Sequence, residues 1–483
     1  MNVWLSILAA ALLAGCAQFE SRPISPVETA ARLDARRLDD ARLKVFLETN
    51  LSRPLESWPM QSWDFKTLAL AAFYFHPALD LARVQWRVAQ AGVRTAGGRP
   101  NPTLSVTPGY DASATHGLSP WIPFFNLDVP LETADKRGHR VTKARHLSES
   151  ARLNIATVAW QLRGSVRASL LDFAAADRRA TLLEQQLAAQ EQIVRLLEQR
   201  VAVGAISQPE LTSARIALNK TRLELGDSNA KGAQARVRLA EALGVSAGAL
   251  EGVGLVFDFF EPAADELTSM EARRVALRGR SDILGALADY AAAEAELRLQ
   301  IARQYPDVRL NPGYQFDQGD NKWTLGIMFE LPVLNQNQGP IAEAGARREE
   351  AAARLTALQT KVIGEIDQAV AGYRSARGQL ATATALLSVA RQQQQSVQAQ
   401  LQAGAADRLE LLTAQLEVGV TRLAQFDGEA KVQQSLGALE DALQRPVDAT
   451  AETVSTASLL NAAQGEPKRS TDSATSGDAG GRK

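Results

Sequence analysis

Two stretches of the chain carry the same hydrophobic rhythm. From Ile155 the apolar positions run Ile155, Val158, Leu162, Val166, Leu170, Phe173, with spacings of three and four. From Leu355 they run Leu355, Leu358, Val362, Ile366, Val370, Tyr373, each displaced by 200 residues. Such a stripe makes one face of an amphipathic helix. The displacement recurs downstream: Thr221-Arg222-Leu223 returns as Thr421-Arg422-Leu423, and Leu239, Ala242 and Leu243 return as Leu439, Ala442 and Leu443. Shared phase together with shared identities predicts an internally duplicated chain.

Each long helical pattern is interrupted once, at equivalent places. "VGAISQPELTSA" (203–214) and "AGAADRLELLTA" (403–414) align Gly204 with Gly404, Ala205 with Ala405, Glu210 with Glu410, Leu211 with Leu411 and Ala214 with Ala414. A glycine stops a helix cheaply in the left-handed conformation. Pro209 and Asp407 are suited to start the returning helices. The two stretches are therefore expected to be tips of helical hairpins. A helix over residues 136–203 would be about 100 Å long, more than one globular core needs, so the helices must pack side by side as coiled coils.

Before each long helix the period changes to two. "NPTLSVTPGY" (101–110) matches "YPDVRLNPGY" (305–314), and "NLDVPLE" (126–132) matches "MFELPVL" (328–334). In "KWTLGIMFEL", Trp323, Leu325, Ile327, Phe329 and Leu331 fall on one face of a strand. Pro130 and Pro332 are expected to end their strands, because proline cannot donate to a ladder. Each half then reads short helix, strand, loop, strand, long helix, glycine turn, returning helix. Four strands cannot close a barrel, whereas three copies would supply twelve, an even number of the kind that spans lipid. Four strands could equally pack as a soluble sheet.

Charge excludes one class of partner. The 53 basic and 54 acidic residues nearly cancel and form no basic stripe, so nucleic acid is not expected to bind. The one cysteine, Cys16, allows no internal disulfide. It follows the short apolar segment "VWLSILAAALLA" (3–14) in the order Leu13-Ala14-Gly15-Cys16, which reads as a secretory signal ending in a lipobox, with Cys16 the lipid-bearing residue. The n-region "MNVW" lacks Lys and Arg, and an ordinary signal with a chance cysteine is the competing reading. Ala17, where an inner-membrane retention signal would place Asp, favours the outer membrane. No later stretch has the 18 or so apolar residues of a membrane helix. If the chain crosses a membrane it must do so with strands.

With these features in order, residues 64–446 resemble the TolC-type outer-membrane efflux family. The resemblance rests on the lipobox, the doubled G-x-x-x-x-x-E-L-x-x-A tips, the paired strands and Arg445-Pro446 closing the last helix. "HPALDLARVQWRVAQAG" and "RSDILGALADYAAAEAE", opening the two repeats, also look like the family. "LETADKRGHR" further resembles the branch serving cobalt–zinc–cadmium pumps, with Ala134-Asp135 where that branch carries glycine. The resemblance implies a mainly α fold with a membrane β-barrel: a homotrimeric channel-tunnel, four strands and long coiled-coil helices per protomer. It implies the exit duct of a tripartite pump, joined through a periplasmic adaptor to an inner-membrane transporter of the resistance–nodulation–division type. The organisation expected is a signal peptide (1–15), a lipidated N-terminal arm (16–63), repeat one (64–260), repeat two (261–446) and a tail (447–483) that is disordered from 463 onward. Residues 111–123 and 317–321 would be external loops.

Site expectations follow from the same frame. The tips, Gly204, Ala205, Ile206, Ser207 and Gly404, Ala405, Ala406, Asp407, Arg408, would touch the adaptor, although glycine as a good helix stop explains Gly204 and Gly404 equally well. Glu210 and Glu410 are candidates for a cation-selective constriction, because threefold symmetry would turn each into a ring of carboxylates. The competing role for both is to complement the helix dipole. No phosphate loop, zinc-protease motif or Cys/His cluster is present, so no enzyme, cofactor or metal site is expected. His139 and His146, seven residues apart, are expected to be solvated and too few for zinc. A periplasmic adaptor would have one hairpin among β-rich modules, and a structural envelope coiled coil would not need amphipathic strands; both are the alternatives to a duct.

Overall fold

The computed structural model describes residues 19–115, 117–257 and 269–447. Cys16, the signal segment and the tail beyond Val447 lie outside these residues. An arm of two helices, α1 (Pro26–Asp34) and α2 (Ala41–Leu51), leads to a two-residue strand β1 (Ser62–Trp63). The first half then runs α3 (Phe65–Phe75), α4 (Pro77–Ala96), β2 (Thr103–Tyr110), β3 (Trp121–Leu131), α5 (Lys136–Ala202), α6 (Gln208–Leu243) and β4 (Gly254–Leu255). The second half repeats it as α7 (Ser269–Gly279), α8 (Ser281–Ala302), β5 (Val308–Asp317), β6 (Asp320–Phe329), α9 (Gln338–Gln402) and α10 (Arg408–Leu443). The returning helices α6 and α10 begin and end 200 residues apart at both termini, as the sequence frame requires.

The helix ends have local causes. Gly204 and Gly404 adopt φ of 74° and 72°. At the first tip the Ala205 amide donates to the Arg200 carbonyl at 2.8 Å and the Gly204 amide to Val201 at 2.9 Å; the second tip repeats this with Ala405 to Gln400 and Gly404 to Leu401. This is the Schellman arrangement, which satisfies the orphan carbonyls of the last turn. At the other end α6 stops at left-handed Gly244 and α10 at left-handed Gln444. His76 ends α3 and begins α4, its Nδ1 accepting from the Ala78 amide at 3.1 Å, with Pro77 at the first helical position.

Two apolar clusters hold the middle of the molecule. In the first, Leu68 and Leu70 of α3 pack with Ile155, Leu162, Val166 and Leu170 of α5 and with Leu239 and Leu243 of α6. The second places Ala272 and Ala276 of α7 against Val362, Ile366 and Val370 of α9 and Leu439 and Leu443 of α10. The stripes read from the sequence are thus the buried faces. The N-terminal arm belongs to the first cluster: Leu43 and Leu47 are fully buried there, and each such leucine stabilises by about 2 kcal/mol. The parallel pair β1–β4, Ser62 to Gly254 and Trp63 to Leu255, was not visible as a strand pattern because each partner has only two residues.

The remaining strands form one antiparallel sheet in the order β2-β3-β5-β6. Three sequence expectations are corrected here. The second strand starts at Trp121 rather than Asn126, so the first loop is shorter than 111–123. Pro130 lies inside β3, paired with Arg309; β2 has already ended opposite Asp128, so the edge without a donor faces no strand of this chain. On β6 the ladder stops at Phe329, short of Leu331 and Pro332. Pro108 and Pro123 face each other, so both missing donors fall on one cross-strand pair. The β5–β6 hairpin turns through Gln318 and Gly319, both at positive φ as a two-residue hairpin loop prefers.

Candidate functional site

The sheet separates two chemistries by register. Leu104, Val106 and Tyr110 share a face with Trp121, Phe125 and Leu127, and the face continues through Tyr314 to Trp323, Leu325, Ile327 and Phe329. These residues are largely exposed, Trp323 at 79% and Leu325 at 70%. The opposite face is mostly polar, with Thr103, Ser105, Asn126, Asp128, Arg309, Asn311, Gln315 and Thr324 beside Ile122, Phe124 and Met328, and Arg309 donates to Asp128 at 3.0 Å. An exposed apolar band backed by a polar face is the pattern of a strand wall between lipid and water. Both outer strands of the sheet, β2 and β6, lack a partner on one side among the described residues. No helix of the described residues is long and apolar enough to cross a membrane.

Below the sheet the chain turns into the long helices through a fastened corner. Lys136 Nζ donates to the Asp307 carboxylate and to the Tyr305 carbonyl, both at 2.6 Å, and the Thr133 amide donates to Asp307 at 3.0 Å. Glu132 pairs with Arg140. The acidic-then-basic run "LETADKRGHR" therefore locks the start of α5 onto the α8–β5 loop. Ala134 and Asp135 both hold left-handed backbone, φ 54° and 52°, a conformation that glycine adopts without strain. His139 and His146 are partly exposed, and no group of three or more metal-donor side chains exists among the described residues.

At the far end the two tips are exposed and joined. Arg200, on the last turn of α5, donates to the Asp407 carboxylate at 2.6 Å. Asp407 is the N-cap of α10 and accepts from the Glu410 amide at 2.9 Å, while the Glu410 carboxylate accepts from the Asp407 amide at 2.9 Å, a capping box. The hydrogen bond from Arg200 holds the Asp407 carboxyl below its usual range. The first tip is built differently. Ser207 makes no side-chain bond to the α6 backbone, and its hydroxyl donates to Glu210 at 2.9 Å. Glu210 and Glu410 are thus exposed first-turn residues engaged with their own N-caps. Ala205, Ala405 and Arg408 are exposed, and Ile206 and Ala406 partly covered. Sequence reasoning missed Arg200, because the equivalent position in the second half is Gln400 and the repeat comparison discards it.

It also missed a seam between the halves. Arg163 on α5 donates to Glu440 on α10 at 3.0 Å and is sandwiched by Phe65 and Trp160, each ring centroid 4.9 Å from its guanidinium carbon. Arg167 lies 3.5 Å from the same carboxylate and donates to Gln433 at 3.3 Å. Two glycines make the room. A Cβ on Gly437 would stand 2.6 Å from Arg167 Nη1, and one on Gly164 would stand 2.7 Å from an Asp441 carboxylate oxygen.

An amphipathic strand wall joined to long paired helical hairpins defines an outer-membrane channel protein. The chain belongs to the outer membrane efflux protein family, which it matches over residues 74–245 and 272–444. That family is one of efflux channels rather than enzymes, and it removes the adaptor and structural coiled-coil alternatives. Among relatives, the chain is 26% identical over 228 residues to the cobalt-zinc-cadmium resistance protein CzcC of Cupriavidus metallidurans, a match covering 47% of this chain and 53% of that protein. The chain therefore spans about half the length of that relative. Its fold is like that of CusC, with a TM-score of 0.63 and 20% identity over 78% of this chain and 91% of that one. It is equally like the outer membrane protein VceC from Vibrio cholerae, with a TM-score of 0.62 and 20% identity over 80% and 97%.

Proposed function

We propose that the protein is the exit duct of a tripartite efflux pump, conducting cargo passively from an inner-membrane transporter and a periplasmic adaptor through the outer membrane. The observation that carries this reading is the sheet: an apolar outer face, a polar inner face and two unpaired edges, in a member of an outer-membrane efflux family. Open strand edges are not tolerated in lipid, so the edges call for copies of the same chain. Three protomers would give twelve strands, a number within the range of known barrels. The helices would then form a tunnel on the periplasmic side, about 100 Å long by the 67 residues of α5. Cys16, outside the described residues, would carry the lipid anchor. The exposed tips 204–207 and 404–408 would meet the adaptor, with the transporter beyond it. Glu210 and Glu410 would ring the periplasmic mouth, their capping bonds setting where the carboxylates stand.

Purified protein reconstituted in a planar bilayer should open ohmic, water-filled conductances in trimer-sized particles. Bilayers that stay electrically silent with trimeric protein present would overturn the duct. In the same preparation, Glu210→Gln with Glu410→Gln should lower cation preference; an unchanged reversal potential would leave these residues only their capping role.

A further inference from the structure

The apolar wall is longer on β6 than the ladder that holds it. In the first half the apolar face of β3 runs from Trp121 to Leu131, and every residue of it is paired with β2 or β5. The second half repeats this face from Trp323 to Val333, 202 residues further on at both ends, but its ladder stops at Phe329. With strands rising about 3.3 Å per residue at a tilt of about 40°, the stretch from Trp323 to Phe329 climbs about 15 Å, and that from Trp323 to Val333 about 25 Å, the height of the apolar band in membrane barrels. The missing height falls on residues beyond the ladder. Leu331, Val333 and Leu334 are 67%, 76% and 97% exposed.

The corner after β6 also differs from its counterpart in charge. In the first half Glu132 pairs with Arg140, and Lys136 with Asp307. The same repeat frame puts Leu334 in the place of Glu132, Gln338 in that of Lys136 and Ala342 in that of Arg140. The frame holds through the corner, because Asp135 and Asn337 occupy one place and both are left-handed residues before a long helix. Between Glu330 and Glu343 no residue is charged. Neutral bonds fasten this corner instead. The Val333 amide donates to the Leu331 carbonyl at 2.8 Å, the Gln336 amide to the Gln338 side chain at 3.1 Å and the Asn337 amide to the Asn335 side chain at 2.9 Å. The Asn337 side chain donates in turn to the Gln300 carbonyl at 2.7 Å. Shedding every charge and satisfying amides within the protein are what lipid demands of an irregular segment; water demands neither.

We propose that Leu331, Val333 and Leu334 seat the second corner in the acyl chains of the periplasmic leaflet, with the amides of Asn335 to Gln338 at headgroup level. The inference rests on the duct reading, which sets the sheet in the outer membrane with the helices on the periplasmic side. The occupant is lipid because the segment prolongs the apolar face and makes up the height that the ladder lacks. A second copy of the chain would join β6 along its open edge, in the plane of the sheet, and would leave that face uncovered. The two corners of each protomer then have separate tasks: the first locks strand to helix by ion pairs, and the second fixes the depth of the barrel in the membrane.

The test is spin labelling of the full-length protein in nanodiscs of phosphatidylethanolamine and phosphatidylglycerol. Nitroxides are attached to Leu334→Cys, to Leu325→Cys within the apolar face of β6 and to Glu343→Cys on exposed α9 surface, with wild type, whose one cysteine is Cys16, as the labelling background. Relaxation by oxygen, which dissolves in acyl chains, is compared with relaxation by a water-soluble nickel chelate. The oxygen-to-nickel ratio should be severalfold higher at positions 325 and 334 than at 343, with 334 the shallower of the two. A nickel response at 334 equal to that at 343 would put the corner in water and overturn the proposal. Shielding of 334 from both reagents would mean that protein covers it, a second copy included, and would overturn the proposal as well. Both of those results leave the duct reading intact as long as 325 remains in lipid. A label at 325 that meets nickel as freely as the one at 343 would instead defeat the duct reading, and this inference with it.

Discussion

At the scale of single residues, two side chains are held against their own preference. Ala134 occupies left-handed backbone in an exposed corner, and for a residue with a Cβ that conformation costs about 1–2 kcal/mol. The bonds of Thr133 and Lys136 to Asp307 hold the corner in place regardless. Ala134→Gly should therefore stabilise the folded protein by about 1 kcal/mol, read as a higher unfolding temperature in detergent; a lower temperature would mean that the strain is not there. The missing glycine was legible in the sequence, but the compensation was not, since Asp307 lies 171 residues from Lys136. Asp441 is the second case. Its carboxyl rises from an ordinary 3.8 to about 6 on folding, so the folded state holds the proton more tightly than the unfolded one. Protonation then favours folding as pH falls through 6, and above 6 the ionised group is a full burden. Arg163, Arg167 and Glu440 are the charged groups that face it, the two arginines opposing the shift. Asp441→Asn should be more stable than wild type at pH 7.5, with the gap narrowing as pH falls through 6 and closing only below 3.8. A gap that stays constant across that range would refute the linkage.

At the scale of elements, the two hairpins share a plan and differ in fastening. Both tips stop on a left-handed glycine in the same hydrogen-bond pattern. Only the second is capped by a reciprocal box and tied to the other hairpin through Arg200. The amides of 208, 210 and 211 should accordingly exchange with solvent deuterium faster than those of 408, 410 and 411. Asp407→Ala should cost about 1 kcal/mol of local stability and bring the second tip to the rate of the first, whereas Glu410→Gln keeps the box and the slow rate. Equal rates at the two wild-type tips would contradict the asymmetry. The helices, their stripes and their breaks were readable because period and glycine chemistry are local properties of sequence. The partners at the tips and at the seam were not, because Arg200 with Asp407 and Arg163 with Glu440 meet only after the two halves fold against each other. The strands lay between these extremes. Alternation marked β6, but its end and the true start of β3 are set by cross-strand pairing, which Pro130 keeps with Arg309 despite its missing donor.

At the scale of the whole molecule, the sheet is the part that is incomplete alone. Its apolar band is exposed and both edges are open, so its stability should depend on which face a substitution touches. Leu325→Arg, on the apolar face of β6, should cost about 2–4 kcal/mol at mid-bilayer and leave the protein out of the outer membrane. Thr324→Arg, one residue away on the polar face, should assemble and alter conductance instead. Membrane fractionation with recording distinguishes them, and identical behaviour of the two variants would undo the assignment of faces. The open edges also carry a genetic consequence. If a barrel needs three intact edges, one faulty copy spoils the work of two sound ones. In a cell making sound and edge-defective chains equally, with random mixing, only about one assembly in eight would be wholly sound. A defective allele of this protein would then be dominant over the intact one, and deleting the allele altogether would do less harm than keeping it.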